Sequence, residues 1–445
     1  RLFRRWRTFI PSLPKMLLNK ILKRWGLTLV VVFVTWTMLL YISSNYNING
    51  TVHLSVKYNG AFEEDISAPD KTYVERQASV RDSATAASGS TVQKLNSAVD
   101  AEVKQMSKKP PKFNGPTFLI IMCRGRRSGR EGTMRQIMQA GVMFKSALVF
   151  STKRIRFFIS TDSREIRTEL EKVVKTWPYS YRSKLVLKFV SVWKPTVVSR
   201  MWTLGVECVM QRLFVPNMVP HEDAVIYADT DMLFMRNPED LWDEFSNFNS
   251  TQVAAMGPCL YYYGTAKNSK TPFYGTSGVN AGLILMNLTR MKTSFPEGGF
   301  LEANMKAFEK YSEDIALADQ DIINIVFAQY PEMMLELGCE WNYRPWQCKL
   351  GKNMCPKTSV EGVSLIHGNT KAFVNGKETK MQAMFDAWKA YELGSPLVDL
   401  YHNITSLLSK ATVQGYKWEC AKLENVDTIL SQRMKSYLID NNLLS

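Results

Sequence analysis

From Pro116 onward, short apolar runs alternate with stretches whose apolar residues recur every three or four positions. The runs at 117–122, 157–160, 185–192 and 224–228 predict buried strands. Between them, Met134, Ile137, Met138 and Val142 share one helical stripe. Ile166, Leu170, Val173, Val174 and Trp177 form a second stripe, which Pro178 stops. Trp202, Val206, Val209, Met210 and Leu213 form a third, ending near Pro216. Asp162-x-x-Glu165 resembles a capping box, and Asn237 before Pro238 predicts a capped short helix. Further strands are expected at 252–256, 282–286, 333–337 and 363–367. Strand and helix alternating at this pitch predict an α/β fold with a mostly parallel sheet, whose ligands lie beyond the carboxyl ends of the strands.

The pattern before Pro116 is different. Residues 25–42 are an uncharged run of 18, from Trp25 to Ile42. At 1.5 Å per residue that is about 27 Å, close to a bilayer's apolar thickness. The run is longer than a typical signal-peptide core and no small-x-small site closes it, so a transmembrane anchor is favoured over a cleaved leader. Residues 1–24 carry eight basic residues and no acid, which predicts a cytosolic tail and a lumenal main body. Because the sequence begins at Arg1 and not Met, a longer tail is expected. Residues 43–115, Ser/Ala/Thr-rich in part, read as a flexible stem. The expected catalytic region is 116–393, with a C-terminal extension at 394–445. The stripe Val426, Ile429, Leu430 and Tyr437 in that extension is expected to pack.

Charge changes the picture little. The net +15 is in large part the basic tail, so nucleic-acid binding is not expected. Four N-x-[ST] sequons, at Asn49, Asn249, Asn287 and Asn403, all lie beyond the apolar run and fit a secretory-pathway protein. Seven cysteines leave at least one unpaired. Cys339, Cys348 and Cys355 lack a C-x-x-C pair, so a structural bridge is expected there in preference to zinc.

The main chemical signal is Asp229-Thr230-Asp231, directly after the run 224–228. Period two puts both carboxylates on one side of the chain as it leaves the sheet, where they suit Mg²⁺ or Mn²⁺; an added imidazole favours Mn²⁺. The alternative is a solvated loop. A second pair, Asp319-Gln320-Asp321, reads as a helix start with Asp319 as N-cap, or as a place to hold sugar hydroxyls. His367 ends a strand before Gly368 and is either a structural histidine or a ligand. Asn280-Ala281-Gly282 allows close backbone approach or forms a turn. The loop aromatics Tyr261, Tyr262, Tyr263, Trp341, Tyr343 and Trp346 could stack on sugars, although packing is expected of each singly. Nucleotide-binding G-x-G-x-x-G and Walker sequences, H-E-x-x-H and G-x-S-x-G are absent.

In order, Asp229-Thr-Asp231, Asn280-Ala-Gly282, Asp319-Gln-Asp321 and His367 resemble glycosyltransferase family 8. Gln211-Arg-Leu-Phe214, Cys339-Glu-Trp-Asn-Tyr-Arg-Pro345 and His367-Gly-Asn369 are similar to its glucoside xylosyltransferase group. The resemblance implies a GT-A fold, Rossmann-like with a mostly parallel mixed sheet. It implies UDP-xylose as donor, Mn²⁺ as cofactor, and an acceptor glucose O-linked to EGF-like repeats of proteins such as Notch. The implied product is an α1,3-linked xylose, formed with retention. Asp229, Asp231 and His367 would be the metal ligands. Arg212, Asp229, Thr230, Asp231, Asn280, Ala281, Gly282 and Gly368 would hold the donor. Asp319, Gln320 and Asp321 would contact the sugar and reaction centre. The basic turn from Cys123 to Gly132 departs from the group's shorter one, so different uridine contacts are expected. The expected setting is a single-pass type II membrane protein of the ER or Golgi, and the competing readings are a related UDP-sugar transferase with another donor or acceptor, and a non-catalytic, membrane-tethered glycan binder.

Overall fold

The computed structural model describes residues 113–444, apart from 124–128, 205–206, 261, 264–268, 349 and 417–418. The expected tail, anchor, most of the stem, Asn49, Tyr261 and the middle of the basic turn lie outside the described residues. Among the described residues, no helix is long and apolar enough to cross a membrane.

Seven strands form the main sheet: β1 (Thr117–Ile121), β2 (Ile155–Ser160), β3 (Leu185–Val190), β4 (Ala224–Ala228), β6 (Ala254–Pro258), β7 (Val279–Asn287) and β8 (Met334–Glu336). Their order is β3-β2-β1-β4-β7-β6-β8. β7 is antiparallel to both its neighbours, and the other pairings are parallel. The expected mostly parallel, mixed sheet is therefore what forms. Its strands read as unbroken apolar runs because both faces are covered. Phe118, Ile120, Phe157 and Ile226 face one core, while Leu119, Ile121, Val225 and Tyr227 face the other.

Helix α1 (Gly129–Phe150) lies in the first core, and α2 (Arg164–Lys175) packs against it. The second core takes α3 (Phe300–Tyr311) and α4 (Asp319–Gln329). Helices α5 (Thr379–Ala390), α6 (Leu397–Lys410) and α7 (Val426–Asp440) complete the first. The 394–445 extension is thus part of that core. Val426, Ile429 and Leu430 are buried, Tyr437 packs edge-on to Phe150, and Cys420 is bonded to Cys348.

Several local expectations need correction. The cap of α2 is Ser163 and not Asp162: the Ser163 hydroxyl accepts from Ile166 N. The third helical stripe is not one helix. It breaks into 3₁₀ turns at Thr196–Leu204 and Gln211–Phe214 around the short Glu207–Met210 helix. Gln211 there turns inward to pair with both backbone groups of Trp193. Pro216 does not end the segment but sits in the first turn of Val215–Met218, where its missing N–H costs nothing. Strand β7 begins at Val279, so Asn280-Ala281-Gly282 lies within a strand and not in a turn before one. A three-residue strand, β5 (Met232–Phe234), was not expected; it pairs antiparallel with β9 (Leu365–His367).

Candidate functional site

The small β5–β9 ladder brings the site together. It pairs Met232 with His367, and Gly368 N donates to Asp231 O at 2.8 Å. Asp229 N continues the β4–β7 ladder by donating to Gly282 O at 2.8 Å. Asp229 and Asp231 are thereby held against His367 by backbone pairing on two sides. His367 Nε2 lies 3.6 Å from Asp229 Oδ2 and 3.6 Å from Asp231 Oδ1. Ligand atoms of the three residues all fall within 4.8 Å of one another. That is too long for hydrogen bonds and is the spacing of donors around a shared cation. Two carboxylates and a neutral imidazole suit Mn²⁺.

Electrostatics agree. Burial, then the Asp229 charge, pushes the Asp231 carboxyl up to about 7 against the pull of Arg135 and Arg212. Burial first, and then the Arg344 and Arg212 charges, hold His367 well below the ordinary imidazole value, which keeps it neutral. Gly282 makes the approach possible: a Cβ there would stand 2.2 Å from His367 Cε1 and 3.0 Å from Asp229 Oδ2. Gly368 serves packing, since a Cβ there would strike the Phe373 ring at 2.4 Å. Thr230 is buried between the two acids.

Arg212 lies behind the carboxylates, 6% exposed. It donates to Ala281 O at 2.7 Å and to Asp229 Oδ1 at 3.1 Å, and its Nε is 2.9 Å from Asp319 Oδ2. Its guanidinium covers the Tyr227 ring at 4.8 Å, and the Tyr227 hydroxyl donates to Asp229 Oδ1 at 2.5 Å. Tyr227 was missed in the sequence, although its place two residues before Asp229 on one strand puts it on the same face.

Asp319-Gln320-Asp321 opens α4, but Ala318 and not Asp319 is the N-cap. Successive side chains at a helix start diverge, so the three go to different partners. Asp319 meets Arg212; burial raises its carboxyl to about 6 against the pull of that cation. Gln320 Oε1 accepts from Asn280 Nδ2 at 2.8 Å and Ala281 N at 3.3 Å. Asp321 Oδ2 accepts from Ala316 N and Leu317 N, both at 2.7 Å, and Oδ1 from the Tyr263 hydroxyl at 2.6 Å. These bonds hold the turn in which Ala318 takes φ +51°, a conformation costly for a residue with a Cβ.

Asn342 is the other residue that was missed. It is 1% exposed, with Oδ1 2.9 Å from His367 Nδ1 and Nδ2 donating to Asn280 Oδ1 at 3.0 Å. Its segment was singled out, but nothing local in it announces a contact 25 residues away. Of the loop aromatics, Tyr263, Trp341 and Tyr343 are buried and pack.

Residues 137–372, more than half of the chain, match glycosyl transferase family 8. Glucoside xylosyltransferase 2 of Mus musculus is 36% identical over 259 residues, covering 55% of this chain and 57% of that protein. Glucoside xylosyltransferase 1 of Danio rerio is 32% identical over 391 residues, covering 84% and 89%. The apo crystal structure of mouse xyloside xylosyltransferase 1 aligns at TM-score 0.42 and 17% identity, over 57% of this chain and 98% of that one. With more than half of its length matched, the chain belongs to glycosyl transferase family 8.

Proposed function

We propose that this protein is a retaining xylosyltransferase. It takes xylose from UDP-xylose and places it, α1,3-linked, on glucose O-linked to EGF-like repeats. The observation that carries this is the convergence of Asp229, Asp231 and His367 beside Gln320, in a chain whose relatives are named glucoside xylosyltransferases. Asp229, Asp231 and His367 would hold Mn²⁺, which supplies charge neutralisation to a departing diphosphate. Arg212, fixed by Asp229 and Asp319, adds a buried positive charge next to that position. Asn280, Ala281, Gly282 and Gln320 form the bed for the donor sugar, with the Asn280 and Gln320 amides locked against each other.

Retention requires either a covalent intermediate or same-face attack. A carboxylate nucleophile would need an oxygen turned toward the anomeric carbon. Both oxygens of Asp321 accept hydrogen bonds, and Asp319 is paired with Arg212. This supports same-face attack, in which the leaving phosphate takes the acceptor proton.

The proposed setting is a single-pass type II membrane protein of the ER or Golgi with its catalytic region in the lumen. The bonded pairs Cys123–Cys208, Cys339–Cys355 and Cys348–Cys420 support an oxidising compartment, and Cys259 is left free. The deciding experiment incubates the protein with Mn²⁺, UDP-xylose and an O-glucosylated EGF-like repeat. A mass gain of one pentose is expected. Faster transfer from another UDP-sugar in the same assay would replace the donor assignment, and no transfer from any would overturn the reading.

A further inference from the structure

Behind the three candidate ligands, a line of side-chain amides runs from His367 through the buried Asn342 and Asn280 to the half-buried Gln320. Side-chain amides can point either way, but backbone N–H groups cannot. Gly282 N donates to Asn280 Oδ1 at 3.2 Å, and Ala281 N donates to Gln320 Oε1 at 3.3 Å. Those two donors set the polarity of the whole line. Asn280 Oδ1 accepts, so Asn342 must donate to it through Nδ2 and turn Oδ1 toward the imidazole. His367 Nδ1 then carries the proton, and Nε2 presents its lone pair to the space shared with Asp229 and Asp231.

The backbone around Asn342 is also fixed. His367 N donates to Tyr343 O at 2.8 Å and Tyr343 N to Leu365 O at 3.0 Å, so the residue after Asn342 is laced to the strand that carries His367. The Asn342 carbonyl accepts from Gln347 Nε2 at 3.0 Å and Arg344 Nε at 3.3 Å.

We propose that Asn342 is a positioning residue that sets the His367 tautomer and joins the cation site to the donor-sugar bed. This rests on reading Asp229, Asp231 and His367 as a metal centre. Its two bonds do separate work. Oδ1 serves the metal through His367, and Nδ2 serves the sugar bed through Asn280 and Gln320.

Two substitutions divide that work. Asn342→Asp keeps an acceptor for His367 and loses the donor to Asn280. Asn342→Leu loses both. Mn²⁺ affinity is measured by titration calorimetry on the full chain, and donor KM and kcat by UDP release. Asn342→Leu is expected to bind Mn²⁺ about 10–100-fold more weakly. Asn342→Asp is expected to bind it within about threefold of wild type while donor KM rises about tenfold and kcat changes less. Without metal, ¹⁵N-histidine spectra should show the Nδ1–H tautomer in wild type and in Asn342→Asp. A wild-type Nε2–H tautomer, or Mn²⁺ affinity lost equally in Asn342→Asp, overturns the inference. If the Leu variant does not fold, the Asp variant and the spectra decide alone. Wild type that binds no Mn²⁺ overturns the metal reading itself, and is distinct from wild type that binds it while neither variant changes.

Discussion

The chain uses the spacing Asp-x-Asp twice, and the two copies do opposite things. Asp229 and Asp231 leave a strand, where alternate side chains share a face, and both turn toward one imidazole. Asp319 and Asp321 start a helix, where residues two apart diverge; one meets Arg212, the other two backbone amides and a tyrosine hydroxyl. In the first pair Arg212 holds Asp229, burial beside that acid raises the Asp231 carboxyl, and the space both acids share with His367 can take a cation. In the second, Asp321 accepts three hydrogen bonds and holds the turn before Gln320, while Asp319 is buried against Arg212 with its carboxyl raised to about 6. The backbone beneath a motif decides whether its acids serve a ligand or the fold.

The contrast can be broken by experiment. Asp231→Ala should lower xylosyl transfer on the order of 10³-fold while leaving the melting temperature unchanged or slightly higher, because two crowded acids become one. A large drop in melting temperature would make the first pair scaffold too. Gly282→Ala should cost on the order of 10²-fold in transfer and weaken Mn²⁺ binding, since the new methyl displaces the imidazole, with about 1–3 kcal/mol of destabilisation in urea unfolding. Unchanged metal affinity would show that the ring has room elsewhere. Asp321→Asn should reverse the balance, costing about 2–3 kcal/mol of stability and only about tenfold in kcat. A glycosyl adduct trapped on any variant of this pair would overturn same-face attack. Ser163→Ala, which removes the cap of α2, should cost about 1 kcal/mol and leave transfer intact. If it lowered kcat as Asp321→Asn does, the effect at Asp321 would be general loosening.

What the sequence disclosed follows from the range of the forces involved. Ala224–Ala228 was read to the residue because a strand covered on both faces is an unbroken apolar run bounded by acids. Asp229, Asp231 and His367 do lie together, but β5, the strand that brings Asp231 to His367, was not seen. Three residues hold no period, and their partner lies over a hundred positions away. Asn342 was hidden for the same reason: its contacts to His367 and Asn280 exist only across the fold. The misread stretch 196–218 is apolar at helical spacing, yet inward-facing Gln211 and Arg212 tie it to Trp193 and Ala281 and tighten the backbone into 3₁₀ turns. Ser163 took the cap from Asp162 by a single position, a margin that spacing alone does not resolve.

Cys339 and Cys348 stand on either side of Asn342, each bonded to a cysteine farther along the chain. The backbone carrying the imidazole's support is therefore pinned by sulfur on both sides, and breaking those bonds would loosen the frame that aims His367. Mn²⁺ held there as proposed should bind more weakly once the two bonds are reduced and the reductant has been removed.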